Sequence, residues 1–152
     1  MPKHLFWMSS ALAIPLVILT VTAFAHSGAT GIVKVRMDAM KAMGKDMKAL
    51  SFMANGRRRF RPDRVRASAS RLARLGQDMP KQFPEGSIHG PSEALPAIWR
   101  DWSSFESLAR KMIEHANALN GVAADQLSTA RPIIEKIGAT CSACHKKFRK
   151  ES

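Results

Sequence analysis

Apolar residues recur three and four positions apart along four stretches of the chain, the repeat of a helix that buries one face. The first stretch runs from about Thr30 to Asn55 and sets Val33, Arg36, Met40, Met43, Met47 and Leu50 on one side. Asn55-Gly56 ends it, and the basic run Arg57 to Arg61 reads as a loop. Pro62 suits the first turn of a second helix, since a proline there gives up only an N–H that has no helical partner anyway. Val65, Ala69, Leu72, Leu75 and Met79 form its apolar face, and Pro80 stops it. Lys81 to Pro91 is rich in Pro and Gly and reads as an irregular connection. Ser92 is placed to cap a third helix bearing Leu95, Ile98, Trp102, Phe105, Ala109, Met112, Ala116 and Leu119, which ends at Asn120-Gly121. A fourth is expected from about Ala123 to the C-terminus, with Leu127, Ala130, Ile134, Ile137, Cys141, Cys144 and Phe148 inward. Pro132 predicts a kink in it or a later start. No run alternates like a strand, so the expected fold is all-α, an antiparallel four-helix bundle. A bundle by itself implies no function.

Residues 1–25 do not belong to that bundle. Lys3 and His4 precede an apolar run from Leu5 to Ala25 that closes on Ala23-Phe24-Ala25, the small-x-small pattern of a secretory signal. The competing reading is an uncleaved anchor, but the strongly apolar core from Ala11 to Val21 is short for a span of about 20 residues. Residues 26–152 are then one exported domain, placed in the periplasm with no stable membrane span. The 152-residue chain has 24 Lys and Arg against 12 Asp and Glu, a net charge of +12. Cleavage removes only Lys3, which leaves 23 − 12 = +11. That charge suits an anionic partner. Export disfavours nucleic acid and leaves an acidic redox protein, for which Arg57 to Arg61 with Arg64 and Arg66 offer a docking surface. A solvated loop and helix face is the plainer reading of that run.

Export changes the reading of the two cysteines. Cys141-Ser142-Ala143-Cys144-His145 is the attachment pattern of c-type haem. On a helix, positions three and four apart share a face, so both thiols and the imidazole converge on one patch. The thiols can add across the two haem vinyl groups while His145 reaches the iron as proximal ligand. A thioredoxin-like pair expects a βαβ setting, which is missing here. A structural zinc site wants four ligands, and His26, His89 and His115 are far away in sequence. A disulfide would close a tight loop inside a helix. One covalent haem c is the expected cofactor.

With these residues in view, the chain resembles the class II cytochromes c, the cytochrome c-prime family. Cys141 to Arg149 matches that family's ending, with an aromatic and an Arg at Phe148 and Arg149. Gly31 to Met40 is similar to its opening, and Ser92 to Trp99 also looks like its members. The resemblance implies that the distal axial position lies on the first helix one turn after an Arg, which here is Met40 after Arg36. Members with Met there are low-spin, Met/His-ligated electron carriers. Members with a non-ligating residue are five-coordinate and bind small gases. Family members are often antiparallel dimers, so a homodimer is open.

The nine methionines supply a plainer reading of Met40, as flexible core filling, with Met37 and Met43 as substitute ligands. Arg36 and Arg149 are candidates for haem propionate contacts because guanidinium pairs well with carboxylate, although a solvated role fits either. Trp99, Trp102 and Phe105 can pack on a porphyrin, with bundle core the plainer assignment for the last two. Single-electron transfer needs no acid, base or nucleophile, so no enzymatic site is expected. The alternatives are a five-coordinate protein for nitric oxide or carbon monoxide and a haem-free interaction bundle.

Overall fold

The computed structural model describes residues 28–121 and 125–151. Five helices run in order: α1 (Gly31–Ala54), α2 (Pro62–Asp78), α3 (Ala97–Arg100), α4 (Trp102–Asn120) and α5 (Leu127–Phe148). Four are long and pack as a bundle, and α3 is a single turn leading into α4. The only β pairing among the described residues is an isolated antiparallel bridge between Ala94 and Arg149. No helix among them is long and apolar enough to cross a membrane. The expected signal segment and His26 lie outside the described residues.

The stripes read from spacing form most of the core, with Leu95 and Leu127 only half-buried and outside it. Leu50, Val65, Leu72, Ile98, Phe105, Leu119 and Ile137 are essentially without solvent exposure. At about 25 cal/mol per Å² of apolar surface, each such Leu, Ile or Phe contributes roughly 1.5–3 kcal/mol. Phe105 stands at the centre, with the rings of Phe83, Trp102 and Phe148 at 5.0, 5.3 and 5.6 Å. Helices α2 and α4 approach closely because Gly76 has no side chain. A Cβ there would sit 2.5 Å from Met112 Cε and 2.8 Å from Ile113 Cγ1.

Two helix starts differ from the sequence reading. Ser92 does not cap the third helix. The residue before a proline is pushed away from helical geometry, so Leu95-Pro96 keeps Ser92 to Leu95 outside the helix. That stretch pairs instead with the chain's end, Leu95 N donating to Phe148 O at 2.9 Å and Lys150 N to Glu93 O at 2.8 Å. The cap of α4 is Asp101, which accepts from Ser104 N at 3.3 Å. The last helix begins at Leu127; the expected start at Ala123 lies outside the described residues. The later start does not free it of Pro132, which sits inside α5 and leaves the Ser128 carbonyl without its helical donor.

Spacing alone also left one buried charge unremarked. Asp46, at 4% exposure on the inner face of α1, accepts from Ser68 Oγ at 3.0 Å and from Arg71 Nε at 2.9 Å, both on α2. Arg71 Nη2 makes a further short contact with the same carboxylate, which raises the Arg71 pKa. Asp46→Ala is expected to lower stability by about 2 kcal/mol, the usual scale for hydrogen bonds to a charged group, as read by urea unfolding.

Candidate functional site

Helix α1 runs away from its N-terminal end while α5 runs back toward it, so the first turns of one face the last turns of the other. Between them, with the 83–94 segment as a third wall, lies a cavity of about 680 Å³. Met37, Met40, Lys41 and Gly44 line it from α1, and Cys144, His145 and Phe148 from α5. Phe83, Ile98 and Phe105, all buried, form its apolar depth, and Arg36, Ser92, Glu93 and Arg149 add polar groups. A few polar groups around an apolar hollow of this size is the usual make-up of a cofactor site.

Cys141 and Cys144 are half-buried and not joined to each other. Burial pushes both thiols above their ordinary range. Cys144 is pushed up to about 11, with a further contribution from neighbouring Cys141. Burial therefore favours the neutral thiol over the thiolate at both positions. Burial, and then the charge of Arg149, lower the His145 pKa, which keeps an imidazole nitrogen available as a donor to a metal. Among the described residues no group of three or more His, Cys, Asp or Glu could hold a bare metal ion.

The other singled-out residues separate. Met40 and Met37 line the cavity, whereas Met43 is 7% exposed and packs in the core. Arg36 is 4% exposed and has no carboxylate partner among the described residues. Arg149 is held by Glu93, Nε donating at 2.8 Å and Nη2 lying 2.6 Å from the same oxygen. Trp99 does not line the cavity; its Nε1 donates to Phe83 O at 2.9 Å and fixes the start of the loop. Phe105 is both core and cavity wall. The arginine run lies at the other end of the bundle. Ala54, just before it, is fourteen residues past Met40, roughly 20 Å along α1. There Arg61 pairs with Asp63, and Arg66 with Asp125, which precedes α5.

A helical bundle with Cys144 and His145 lining an apolar hollow near its end, and Cys141 one turn before Cys144, defines a haem-carrying bundle protein. The cytochrome C' family model matches residues 31–149. A cytochrome c-556 of Agrobacterium tumefaciens (strain II Chrys) is 34% identical over 120 residues, covering 78% of this chain and 97% of that protein. The solved cytochrome c' of Rhodopseudomonas palustris superposes with a TM-score of 0.76 at 28% identity, covering 82% of this chain and 99% of that one. A nitric oxide complex of a mutant cytochrome c prime from Alcaligenes xylosoxidans gives 0.71 at 27%, covering 80% and 94%. The chain belongs to the cytochrome c' family. Covalent haem c is the cofactor of that family, and Cys141 and Cys144 fit its attachment motif. The haem-free bundle is thereby set aside.

Proposed function

We propose that the protein carries single electrons in the periplasm, its haem joined to Cys141 and Cys144 and its iron bound by His145 and Met40. The observation that carries this reading is the meeting of Met40 and His145, 105 positions apart in sequence, on facing walls of one cavity. The bound haem supplies an iron that alternates between ferric and ferrous. The chain's part is to hold the group in place, to keep water from it with Phe83, Ile98, Phe105 and Phe148, and to offer the thioether sulfur of Met40. A thioether is a soft donor and raises the reduction potential.

Arg36, a buried cation without a carboxylate partner, has only its Nε–H without a partner among the described residues to offer a propionate, its other N–H groups being bound to Gln82, Ser87 and Ser92. Arg149 has less to offer, since Glu93 already pairs with it. The partner in this reading is a redox protein with an acidic surface. The arginine end adds to the long-range attraction, and docking for exchange takes place at the cavity end, near Lys41 and Lys146. Export and removal of residues 1–25 belong to the same proposal.

A second reading has its own support. The likeness to a nitric oxide complex favours a five-coordinate iron with an open distal side. Optical spectra of the protein purified from cells that mature c-type haem separate the two. The carrier is expected to give a pyridine haemochrome of thioether-linked haem and a low-spin ferrous spectrum that carbon monoxide leaves unchanged. A high-spin ferrous spectrum with rapid carbon monoxide binding counts for the gas-binding form, and colourless protein counts against both.

A further inference from the structure

The strongest unabsorbed observation is how many bonds one buried side chain makes to the connection between α2 and α4. Arg36 Nη1 donates to Gln82 O at 3.2 Å and to Ser87 Oγ at 3.1 Å. Its Nη2 donates to Ser87 O at 2.7 Å and to Ser92 Oγ at 3.3 Å. The guanidinium also lies over the Phe83 ring, 4.7 Å from its centroid. Of its five N–H groups only Nε–H has no partner among the described residues, so a propionate would meet a side chain already committed to the loop. Ser87 and Ser92 are buried with it, at 7% and 5% exposure.

The ends of this loop have other anchors. Trp99 holds Phe83, and the chain's C-terminal residues hold Glu93 and Leu95. The middle has only local turns, Ser87 N to Pro84 O at 3.2 Å and Ser92 N to His89 O at 3.3 Å. Gly86 and Gly90, both at positive φ, let the chain fold back on itself there without strain. Apart from those to Arg36, no hydrogen bond among the described residues ties Pro84 to Pro91 to the body of the bundle. Yet Pro91 and Ser92 are part of the cavity wall.

We propose that Arg36 is a positioning residue that clamps the 82–92 loop against the cavity, and that this clamp limits the entry of small molecules to the haem. The proposal rests on this cavity being the haem site. It adds to the ligand at Met40 a second, separate control on access: Met40 occupies the iron, and Arg36 keeps the wall shut. A planar guanidinium can bind several acceptors at once in fixed directions, which a lysine ammonium on a flexible stem does not reproduce.

The test uses the haem-loaded protein and two readouts. The first is amide hydrogen exchange over residues 84–91, which does not depend on what binds the iron. Arg36→Met and Arg36→Lys should each speed exchange there about tenfold or more, the scale of losing charge-assisted hydrogen bonds, with the helices unchanged. Ser87→Ala with Ser92→Ala removes two acceptors, leaves the guanidinium in place and should speed the same amides severalfold. That pair serves if Arg36→Met fails to fold. The second readout is carbon monoxide association with the ferrous protein in a Met40→Ala background, where iron ligation no longer interferes. Adding Arg36→Met, or the serine pair, should raise the association rate about tenfold. Unchanged exchange in the serine pair and Arg36→Lys overturns the clamp, as does faster loop exchange with unchanged carbon monoxide entry. Fast carbon monoxide binding by the unaltered protein instead overturns Met40 as ligand and leaves the exchange test standing.

Discussion

Haem will leave a Cys141→Ser, Cys144→Ser protein when it is extracted with acidified acetone, and will stay with the unaltered chain. The two serine hydroxyls keep the size and polarity of the site but do not form thioether links to vinyl groups under maturation conditions. His145 remains, so the variant can still take up haem by coordination and by burial among Phe83, Ile98, Phe105 and Phe148. What changes is the nature of the binding. A covalent group stabilises the fold at any dilution, whereas a dissociable one does so only as RT ln(1 + [L]/Kd). On diluting free haem from about a thousandfold above Kd to well below it, the variant should lose about 4 kcal/mol, on the order of 10–15 °C in Tm for a domain of this size. The unaltered chain should show no such dependence. Haem retained by the variant through the acetone step would mean that other side chains hold it.

Much of this site is legible without coordinates because its chemistry is local. Cys141, Cys144 and His145 lie within a little more than one helical turn, so spacing alone brings them to one face. The four apolar stripes are legible for the same reason, as helix-period patterns need only neighbours in sequence. What spacing misses is set by contacts between distant segments. Asp46 falls on the inner face of α1, three positions after Met43 and four before Leu50, and its place on that stripe was the available signal. Its partners Ser68 and Arg71 are on another helix. Ser92 reads as a cap because Ser before an apolar run usually is one. Its hydroxyl instead accepts from a guanidinium 56 positions away, which no local pattern announces. The arginine run was readable as a charge cluster, but its separation from the cavity became visible only once α1 had a length and a direction.

Met40→Ala should give the largest spectroscopic change. Removing the thioether leaves His145 as the one axial donor from the chain, and the reduced protein is expected to become high-spin and to bind carbon monoxide readily. The reduction potential should fall, since a thioether favours the ferrous state. Helical content should hardly change, because Met40 is only partly buried and lines the cavity at the edge of the core. Met43→Ala supplies the contrast. Met43 is in the core, so its truncation should cost about 2–5 kcal/mol of stability and leave the spectrum as it was. An unaltered low-spin spectrum in Met40→Ala, with the change appearing in Met37→Ala, would move the ligand one turn earlier on α1.

The cavity's facing walls come from the first and last helices, and this has a consequence for how the molecule is made. The N-terminal wall is synthesised early. Both sulfurs and the imidazole lie in the last turns of α5, so a chain interrupted anywhere before Cys141 carries none of the attachment chemistry. Pigment therefore reports that translation has run through the far wall as far as His145.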